Sequence, residues 1–267
     1  MTLTVVKCGG TLAPGPVCAD VARLDGPAVV VHGGAPDIAR LAAELGVPQR
    51  TLVSPAGVTS RHTDPAMLDV VTLAMTGRAK PRLLHALASH GVRAIGLTGL
   101  DAGLLRARRK GARRTVVDGR TLVVRDDQSG RVVAVEAGVL CTLLDAGFTP
   151  VVSPPATGED GGPLNVDADR VAAAVAVALK ADRLVLLTAA PGVLSDACDE
   201  ASVLSRCELP PEGPVPYAAS GGMHRKLIAA REAVLGGVRD VVIADGRIAR
   251  PLTDISGTAV EVGPCRQ

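Results

Sequence analysis

Val5-Val6-Lys7-Cys8-Gly9-Gly10 and Val29-Val30-Val31-His32-Gly33-Gly34 follow one plan, an apolar run that leads into a glycine pair. Runs rich in β-branched residues that stop at glycine are typical of strands buried in a sheet. A glycine pair lets backbone N–H groups approach an anion, and open α/β sheets bind ligands at the carboxyl ends of their strands. The two stretches therefore predict neighbouring strands whose ends face one crevice.

The rest of the chain continues this alternation of short apolar runs with helical stretches. Such an alternation predicts a mostly parallel open sheet with helices on both faces, which is a three-layer αβα sandwich of the α/β class. The predicted strands are Leu3–Val6, Ala28–Val31, Ala94–Leu97, Val151–Val152, Leu184–Leu187 and Asp240–Ile243. The predicted helices are Ala35–Leu45, Pro65–Gly77, Lys80–His90, Val139–Ala146, Ala168–Leu179 and Gly222–Leu235.

The segment from residue 106 to residue 131 departs from the pattern and is strongly basic. Thr115–Val117 and Thr121–Arg125 are short runs joined by Asp118-Gly119, which suits a type I′ hairpin turn. A third run, Val132–Val135, follows. We expect an antiparallel hairpin that protrudes from the sandwich and carries most of the basic residues, although a solvated, charged hairpin is the simpler interpretation.

Composition excludes several classes of protein. With 267 residues and 47% hydrophobic residues the chain can bury a large core, which argues against disorder. Aromatic residues are almost absent, so single-strand nucleic-acid binding by base stacking is not expected. No leader and no apolar run of transmembrane length is evident, which predicts a cytoplasmic protein without membrane contact. The cysteines are expected to be reduced, with Cys8 and Cys141 buried.

Two further stretches carry groups suited to phosphate chemistry. Asn165-Val166-Asp167-Ala168-Asp169 opens a predicted helix, where Asn165 or Asp167 could simply be the N-cap. Gly221-Gly222-Met223-His224-Arg225-Lys226 opens another, with Lys226 one turn inside. Phosphoryl transfer needs positioning and fixed positive charge more than covalent chemistry. Lys7, Lys226, the glycine pairs and one organising aspartate would meet that need.

These stretches, together with Ser60-Arg61-His62-Thr63-Asp64, resemble the amino acid kinase family in order and spacing over nearly the whole chain. The most similar branch is that of the acetylglutamate kinases. Within it the chain looks most like the kinases that act on aminoadipate or glutamate attached to an amino-group carrier protein.

The resemblance implies a lobe at residues 1–180 that binds the amino acid and dimerises, and a lobe at 181–267 that binds ATP with Mg²⁺. It implies no metal ligand from the protein, an acyl phosphate product of lysine- or arginine-type biosynthesis, and a homodimer. The implied catalytic residues are Lys7, Asp169 and Lys226, and the implied substrate-binding residues are Gly33, Gly34, Arg61 and Asn165. The implied ATP-binding residues are Gly9, Gly10, Thr188, Gly192, Gly222 and Met223.

The stretch Ile95–Asp101 looks like the carrier-linked branch, and a basic arm would steer a small acidic carrier protein towards the crevice. The expected docking residues are Arg106, Arg108, Arg109, Lys110, Arg113 and Arg114. Three alternatives remain open: a kinase of free N-acetyl-L-glutamate in arginine biosynthesis, a nucleotide-binding regulatory subunit without catalysis, and a nucleic-acid regulator. Glutamate and aminoadipate differ by one methylene, and the sequence does not choose between them.

Overall fold

The computed structural model describes residues 1–53, 59–117, 120–215 and 221–263, without the side chains of residues 113, 114, 116, 117 and 120. The strands are β1 (Thr4–Cys8), β2 (Ala28–His32), β3 (Thr51–Val53), β4 (Thr59–Arg61), β5 (Ala94–Gly99), β6 (Leu105–Arg109), β7 (Arg113–Val117), β8 (Arg120–Val124), β9 (Gly130–Val135), β10 (Thr149–Gly158), β11 (Pro163–Leu164), β12 (Arg183–Thr188), β13 (Arg206–Leu209), β14 (Asp240–Asp245) and β15 (Gly257–Val262). The helices are α1 (Pro14–Val21), α2 (Ala35–Glu44), α3 (Pro65–Ala74), α4 (Lys80–Ser89), α5 (Ala137–Asp145), α6 (Ala168–Ala178) and α7 (Gly222–Leu235), and a π-helical turn at Met75–Ala79 joins α3 to α4.

Most strands belong to one large sheet with the order β13-β15-β14-β12-β1-β2-β10-β6-β9, in which β5 and β11 also pair with β10. The strands at its centre are parallel: β1 pairs with β2 and β12, and β10 pairs with β2 and β5. The strands that follow residue 181 form one end of the sheet, next to β1. The predicted mostly parallel α/β sheet is confirmed, and each of the predicted strands and helices is present. Most differ only slightly at their ends, but β10 covers ten residues where the sequence predicts only Val151–Val152.

Side chains alternate between the two faces of the sheet because the period of a strand is two. On β2, Val29 and Val31 enter one apolar cluster with residues of α5, α6 and α7. Val30 enters a separate cluster on the opposite face, with residues of α1 and α4. The sheet is therefore covered on both faces, and the three-layer αβα arrangement is confirmed.

The prediction for the basic segment is right in one part and wrong in another. Strands β7 and β8 form the expected antiparallel hairpin, while its turn at Asp118-Gly119 lies outside the described residues. The third run does not join this hairpin, because β9 pairs with β6 inside the large sheet. Arg106, Arg108 and Arg109 therefore lie on a strand of the sheet and not on a protruding arm.

The reason for this error is the side-chain pattern of β6. Leu105 and Ala107 are fully buried, whereas the arginines between and after them are exposed. The strand thus alternates with a period of two, but its high charge hides that pattern in the sequence.

The expected burial of two cysteines is right for one of them. Cys8 is buried, but Cys141 is exposed on α5, where the preceding residue, Leu140, is the one that faces the core. Among the described helices, none combines the length and apolar character needed to cross a bilayer.

Asp20 of α1 is fully buried and binds a distant segment of the chain. Its carboxylate accepts hydrogen bonds from the backbone N–H groups of Leu252 and Thr253, at 2.7 and 3.0 Å, and from Thr253 Oγ1 at 2.9 Å. These bonds fasten α1 to the segment before β15.

We expect Asp20→Ala to lower the free energy of unfolding by about 1–3 kcal/mol, because it leaves buried N–H donors without an acceptor. Urea unfolding followed by circular dichroism measures the change. Asp25→Ala, at an exposed position nearby, serves as the control and should stay within about 0.5 kcal/mol of the wild type. Equal losses in the two variants would contradict this account.

Candidate active site

The two glycine pairs lie against each other at the carboxyl ends of β1 and β2. These strands are parallel neighbours with Lys7 opposite Val31, and the N–H of Gly33 donates to the carbonyl of Cys8 at 3.0 Å. A Cβ atom on Gly10 would lie 2.9 Å from the Cα of Gly34, closer than side chains normally approach a backbone. Glycine at position 10 is therefore required by a close backbone approach.

Three charged side chains from distant parts of the sequence meet beside these turns. Lys7 is the penultimate residue of β1, Asp169 lies in the first turn of α6, and Lys226 lies in α7. The Nζ atom of Lys7 is 2.8 Å from Oδ1 of Asp169, and Nζ of Lys226 is 3.2 Å from both carboxylate oxygens. All three side chains are buried. Two ammonium groups thus share one carboxylate, and together they carry one net positive charge.

Burial and mutual charge act on these three groups in different proportions. Burial opposes the charge of Asp169, but Lys7 and Lys226 hold the pKa of its carboxyl below the usual range. Burial also pulls down the pKa of Lys7, yet the short contact with Asp169 outweighs it and the pKa is raised. For Lys226 burial prevails: its pKa is lowered, because Asp169 offsets only part of that effect and the charge of Lys7 adds to it.

The start of α6 is held by Asp167, whose carboxylate accepts from the backbone N–H groups of Asp169 and Arg170 at 3.0 and 3.1 Å. The N-cap interpretation of Asp167 is therefore correct. Asn165 does not cap the helix, since its Nδ2 donates to Oγ1 of Thr63 at 3.0 Å, just beyond β4. The cap also helps to position Asp169, because the backbone N–H of Asp169 is one of the two groups that Asp167 binds.

A cleft of about 610 Å³ runs from these charges to the hairpin of β3 and β4. It brings together most of the residues that the sequence predicts for the site. Those that line it are Lys7, Gly9, Gly10, Gly33, Gly34, Arg61, Asn165, Asp169, Gly222 and Lys226.

Three predicted ATP-binding residues do not line this cleft within the described structure. Thr188 ends β12, and its carbonyl accepts from the N–H of Gly246 at 2.8 Å. Gly192 is closely packed, since a Cβ there would lie 2.8 Å from Oγ1 of Thr258. Met223, in the first turn of α7, is partly buried against the apolar cluster that includes residues of α6 and α7. Their roles toward ATP stay predictions.

The basic docking residues separate into two groups. Lys110 lines the cleft, whereas Arg106 and Arg108 are exposed along β6 and do not line it. The side chains of Arg113 and Arg114 lie outside the described residues. The sequence-based reasoning missed the remaining polar lining, chiefly Gln49, Arg50, Thr51 and Ser129. No local pattern marks these residues. The pairing of Thr51 with Arg61 places the first three beside the cleft, and a bridge to Asn165 places Ser129 there.

The chemistry of the lining bears on whether the protein holds a metal ion by itself. Across the described ranges, no group of three or more His, Cys, Asp and Glu side chains is placed to bind a metal. The carboxylate of Asp169 binds two lysines, and that of Asp167 caps a helix. A divalent cation at this site would therefore be held mainly by the phosphates of a nucleotide and by water.

The sequence and the fold are both similar to those of known proteins. Residues 2–245 match the model of the amino acid kinase family. LysW-aminoadipate kinases from Deinococcus radiodurans and Thermus thermophilus are 38% and 39% identical, covering 95% and 94% of this chain and 88% and 96% of theirs. An acetylglutamate kinase from Methanopyrus kandleri is 40% identical, covering 91% of this chain and 95% of its own. A solved carbamate kinase from Giardia shares the fold at 16% identity with a TM-score of 0.67, covering 98% and 99% of the two chains.

The chain belongs to the amino acid kinase family. It is an enzyme, a phosphotransferase that uses ATP and has a carboxyl group as acceptor. The resemblance seen in the sequence is thereby confirmed at the level of family, fold and type of reaction.

The contact between the glycine pairs gives a matched test of the backbone requirement. We expect Gly10→Ala to lower the free energy of unfolding by about 1–3 kcal/mol, because the new methyl group meets backbone atoms that cannot move aside easily. Gly33→Ala is the control, since the nearest atom to a Cβ there is 3.6 Å away. Thermal unfolding of both variants measures the difference. Destabilisation of equal size in the two would contradict the close-approach argument.

Proposed function

We propose that the enzyme transfers the γ-phosphate of ATP to the side-chain carboxylate of an N-blocked aminoadipate or glutamate held on an amino-group carrier protein. The product is an acyl phosphate. The observation that carries the proposal is the cleft itself, which is lined by the cluster of Lys7, Asp169 and Lys226 and also by Arg61 and Asn165. The part lined by Arg61 and Asn165 is called the acceptor end.

The reaction requires little from the protein beyond placement and charge. An oxygen of the acceptor carboxylate attacks the γ-phosphorus, a new O–P bond forms, the bond to the bridging oxygen breaks, and ADP leaves with that oxygen. A carboxylate is already ionised near neutral pH, so no general base is needed to activate it. Lys7 and Lys226 stabilise the charge on the oxygens of the transferring group, and Asp169 holds both ammonium groups in position.

Arg61 suits a carboxylate of the substrate. Burial lowers the pKa of its guanidinium, and within the described ranges no carboxylate of the protein pairs with it. A planar guanidinium binds a carboxylate through two parallel hydrogen bonds, which fixes orientation as well as position. Arg61 would thus bind the α-carboxylate and hold the side-chain carboxylate towards the phosphate. Asn165 would bind the blocked α-amino group.

ATP is proposed to enter as its Mg²⁺ complex with the phosphates over Gly9, Gly10 and Gly222, where the glycine backbones leave room for an anion. The ion supplies further positive charge to the phosphates when bound. Residues 1–180 are proposed as the acceptor lobe and residues 181–267 as the nucleotide lobe. Thr188, Gly192 and Met223 belong to the nucleotide side of this proposal.

The carrier is supported by positive charge at and near the acceptor end of the cleft. Lys110 lines the cleft, and Arg106 and Arg108 are exposed on β6. Arg109 is less suited to docking, because its guanidinium donates to the backbone carbonyls of Arg125 and Asp127 at 3.2 and 3.1 Å. A small acidic carrier would be attracted to this surface. Two of the similar kinases are named for LysW-aminoadipate.

We further propose a cytoplasmic homodimer that serves lysine- or arginine-type biosynthesis. Cys8, Cys18, Cys141 and Cys198 are free thiols, which suits a reducing compartment. Within the described residues β5 pairs with β10 alone, and an open strand edge can pair with a second copy.

Free N-acetyl-L-glutamate is the second candidate acceptor, because the acetylglutamate kinase from Methanopyrus kandleri is as similar to this chain as the carrier-linked kinases are. A hydroxamate assay separates the two, since hydroxylamine traps an acyl phosphate from either acceptor. We expect kcat/KM to be about a hundredfold higher for aminoadipate or glutamate linked to a carrier protein than for N-acetyl-L-glutamate, as electrostatic steering raises association rates. Equal or greater turnover of the free compound would favour the second candidate.

Arg108→Ala should raise KM for the carrier-linked acceptor, and the increase should be larger at low ionic strength, where surface charges are less screened. Arg206→Ala is the matched control: Arg206 is also exposed and pairs with Glu261 as Arg108 pairs with Glu159. Its KM should match that of the wild type. An Arg108→Ala enzyme with unchanged KM and unchanged salt dependence would reject the docking surface.

Lys226 gives a test of the catalytic assignment. We expect Lys226→Ala to lower kcat by about 10²–10³-fold, through loss of a charge at the transferring phosphoryl group. In the wild type, kcat/KM should fall as pH rises through the pKa of Lys226, which lies below the ordinary value for lysine and marks the loss of the positive charge. Lys226→Arg keeps its charge and should move this alkaline limb to higher pH. The same limb in both enzymes would assign the titration to another group.

A further inference from the structure

Residues 126–130, here called the 126–130 segment, lie between two parts of the acceptor end that are far apart in the sequence. The backbone N–H of Gln128 donates to the carbonyl of Thr63 at 2.6 Å. The carbonyl of Gln128 accepts from the N–H of Asn165 at 2.9 Å, and the N–H of Gly130 donates to the carbonyl of Asn165 at 2.8 Å. One short stretch thus joins the end of β4 to the segment before α6.

Asp127 is the charged residue within this junction. It is 2% exposed, and its Oδ1 accepts from the backbone N–H of Thr63 and from Oγ of Ser129, both at 3.0 Å. Burying a carboxylate is costly unless hydrogen bonds compensate it. Asp127 does not line the cleft, although Ser129 and Asn165 do. It can therefore influence a bound acceptor only through its neighbours.

Thr63 passes this constraint on to the cleft. It is fully buried, and its Oγ1 accepts from Nδ2 of Asn165 at 3.0 Å. Since the nitrogen end of the Asn165 amide binds Thr63, its oxygen is the atom that can accept from an N–H of a ligand. An acylated α-amino group offers such an N–H. Thr63 also follows Arg61 by two residues, so its position helps to fix the end of β4.

The same segment also holds a third group of the cleft. The N–H of Lys110 donates to the carbonyl of Ser129 at 2.9 Å. The 126–130 segment thereby touches Thr63, Asn165 and Lys110, which come from three separate parts of the chain.

We propose that Asp127 is a positioning residue for the acceptor, which fixes Thr63 and through Thr63 orients Asn165 in the cleft. This inference rests on the proposed function, because it takes Asn165 as a group that binds the acceptor. Lys7, Asp169 and Lys226 are held by their own ion pairs on β1, α6 and α7, so we expect the effect of Asp127 to fall mainly on the acceptor. Its charge strengthens the bond to the Thr63 N–H, since hydrogen bonds to an ionised acceptor are stronger than neutral ones.

The experiment compares Asp127→Asn and Thr63→Val with Asp20→Asn. The first variant weakens the bond to the Thr63 N–H, and the second removes the acceptor of the Asn165 amide. Asp20→Asn is the matched control, because Asp20 is also a buried carboxylate that accepts backbone N–H groups, but far from the acceptor end. We expect KM for the acceptor to rise by about tenfold to a hundredfold in the first two variants, because even a small misplacement of a positioning group carries a penalty of that size. KM for ATP should stay within about twofold of wild type.

Hydrogen exchange of the unliganded proteins provides a readout that needs no substrate. In Asp127→Asn, we expect faster amide exchange in residues 60–66 and also in residues 160–166, where the constraint is transmitted, with no change around Gly9 and Gly10. Asp20→Asn should change neither segment. If the wild-type enzyme phosphorylates neither acceptor, the proposed function fails, and this exchange pattern still decides the positioning role.

The two possible results are distinct. Coupled exchange in both segments, together with an acceptor-specific rise in KM wherever turnover is observed, supports the inference. Faster exchange confined to residues 60–66, an unchanged acceptor KM, or an equal rise in both KM values would overturn it and leave Asp127 a purely structural residue.

Discussion

The carboxylate of Asp169, shared by the ammonium groups of Lys7 and Lys226, is the interaction on which the rest of the site depends. Three charges buried together are tolerable only if each is paired, and here two cations compete for one anion. The cluster keeps one net positive charge, and in the proposed function an incoming phosphate neutralises it. Because the three residues stand on β1, α6 and α7, the cluster forms only when the centre of the sheet and both helices are correctly packed.

This arrangement answers the main electrostatic difficulty of the reaction. A carboxylate and the terminal phosphate of ATP are both anions, and they repel each other at bonding distance. The two lysines, Arg61 and Lys110 all line the cleft and bring positive charge to it. The glycine pairs add backbone N–H groups without side chains that would block the approach. Placement and charge can thus perform the transfer without a general base.

The basic segment shows how charge can conceal a strand. Arg106 and Arg108 stand on β6 next to the buried Leu105 and Ala107, so the strand belongs to the sheet and presents its arginines outward. A surface built on a paired strand is more rigid than a protruding arm. That rigidity suits the recognition of a partner, because less freedom is lost when the partner binds. It also places Lys110, the residue directly after the strand, at the cleft.

The amino-acid sequence was sufficient for the layers of the fold and for the meeting of Lys7, Asp169 and Lys226 in one cluster. Strand periodicity, glycine pairs and helix starts are local signals, and Lys7, Asp169 and Lys226 each lie beside one of them. The acceptor end could not be derived in the same way. Thr63 and Asp127 carry no local pattern, Asn165 is assigned to the acceptor only through the family resemblance, and β3 and β4 are too short to recognise alone. Their arrangement depends on hydrogen bonds between residues about 40 to 100 positions apart, which form only when the folded chain brings those backbones together.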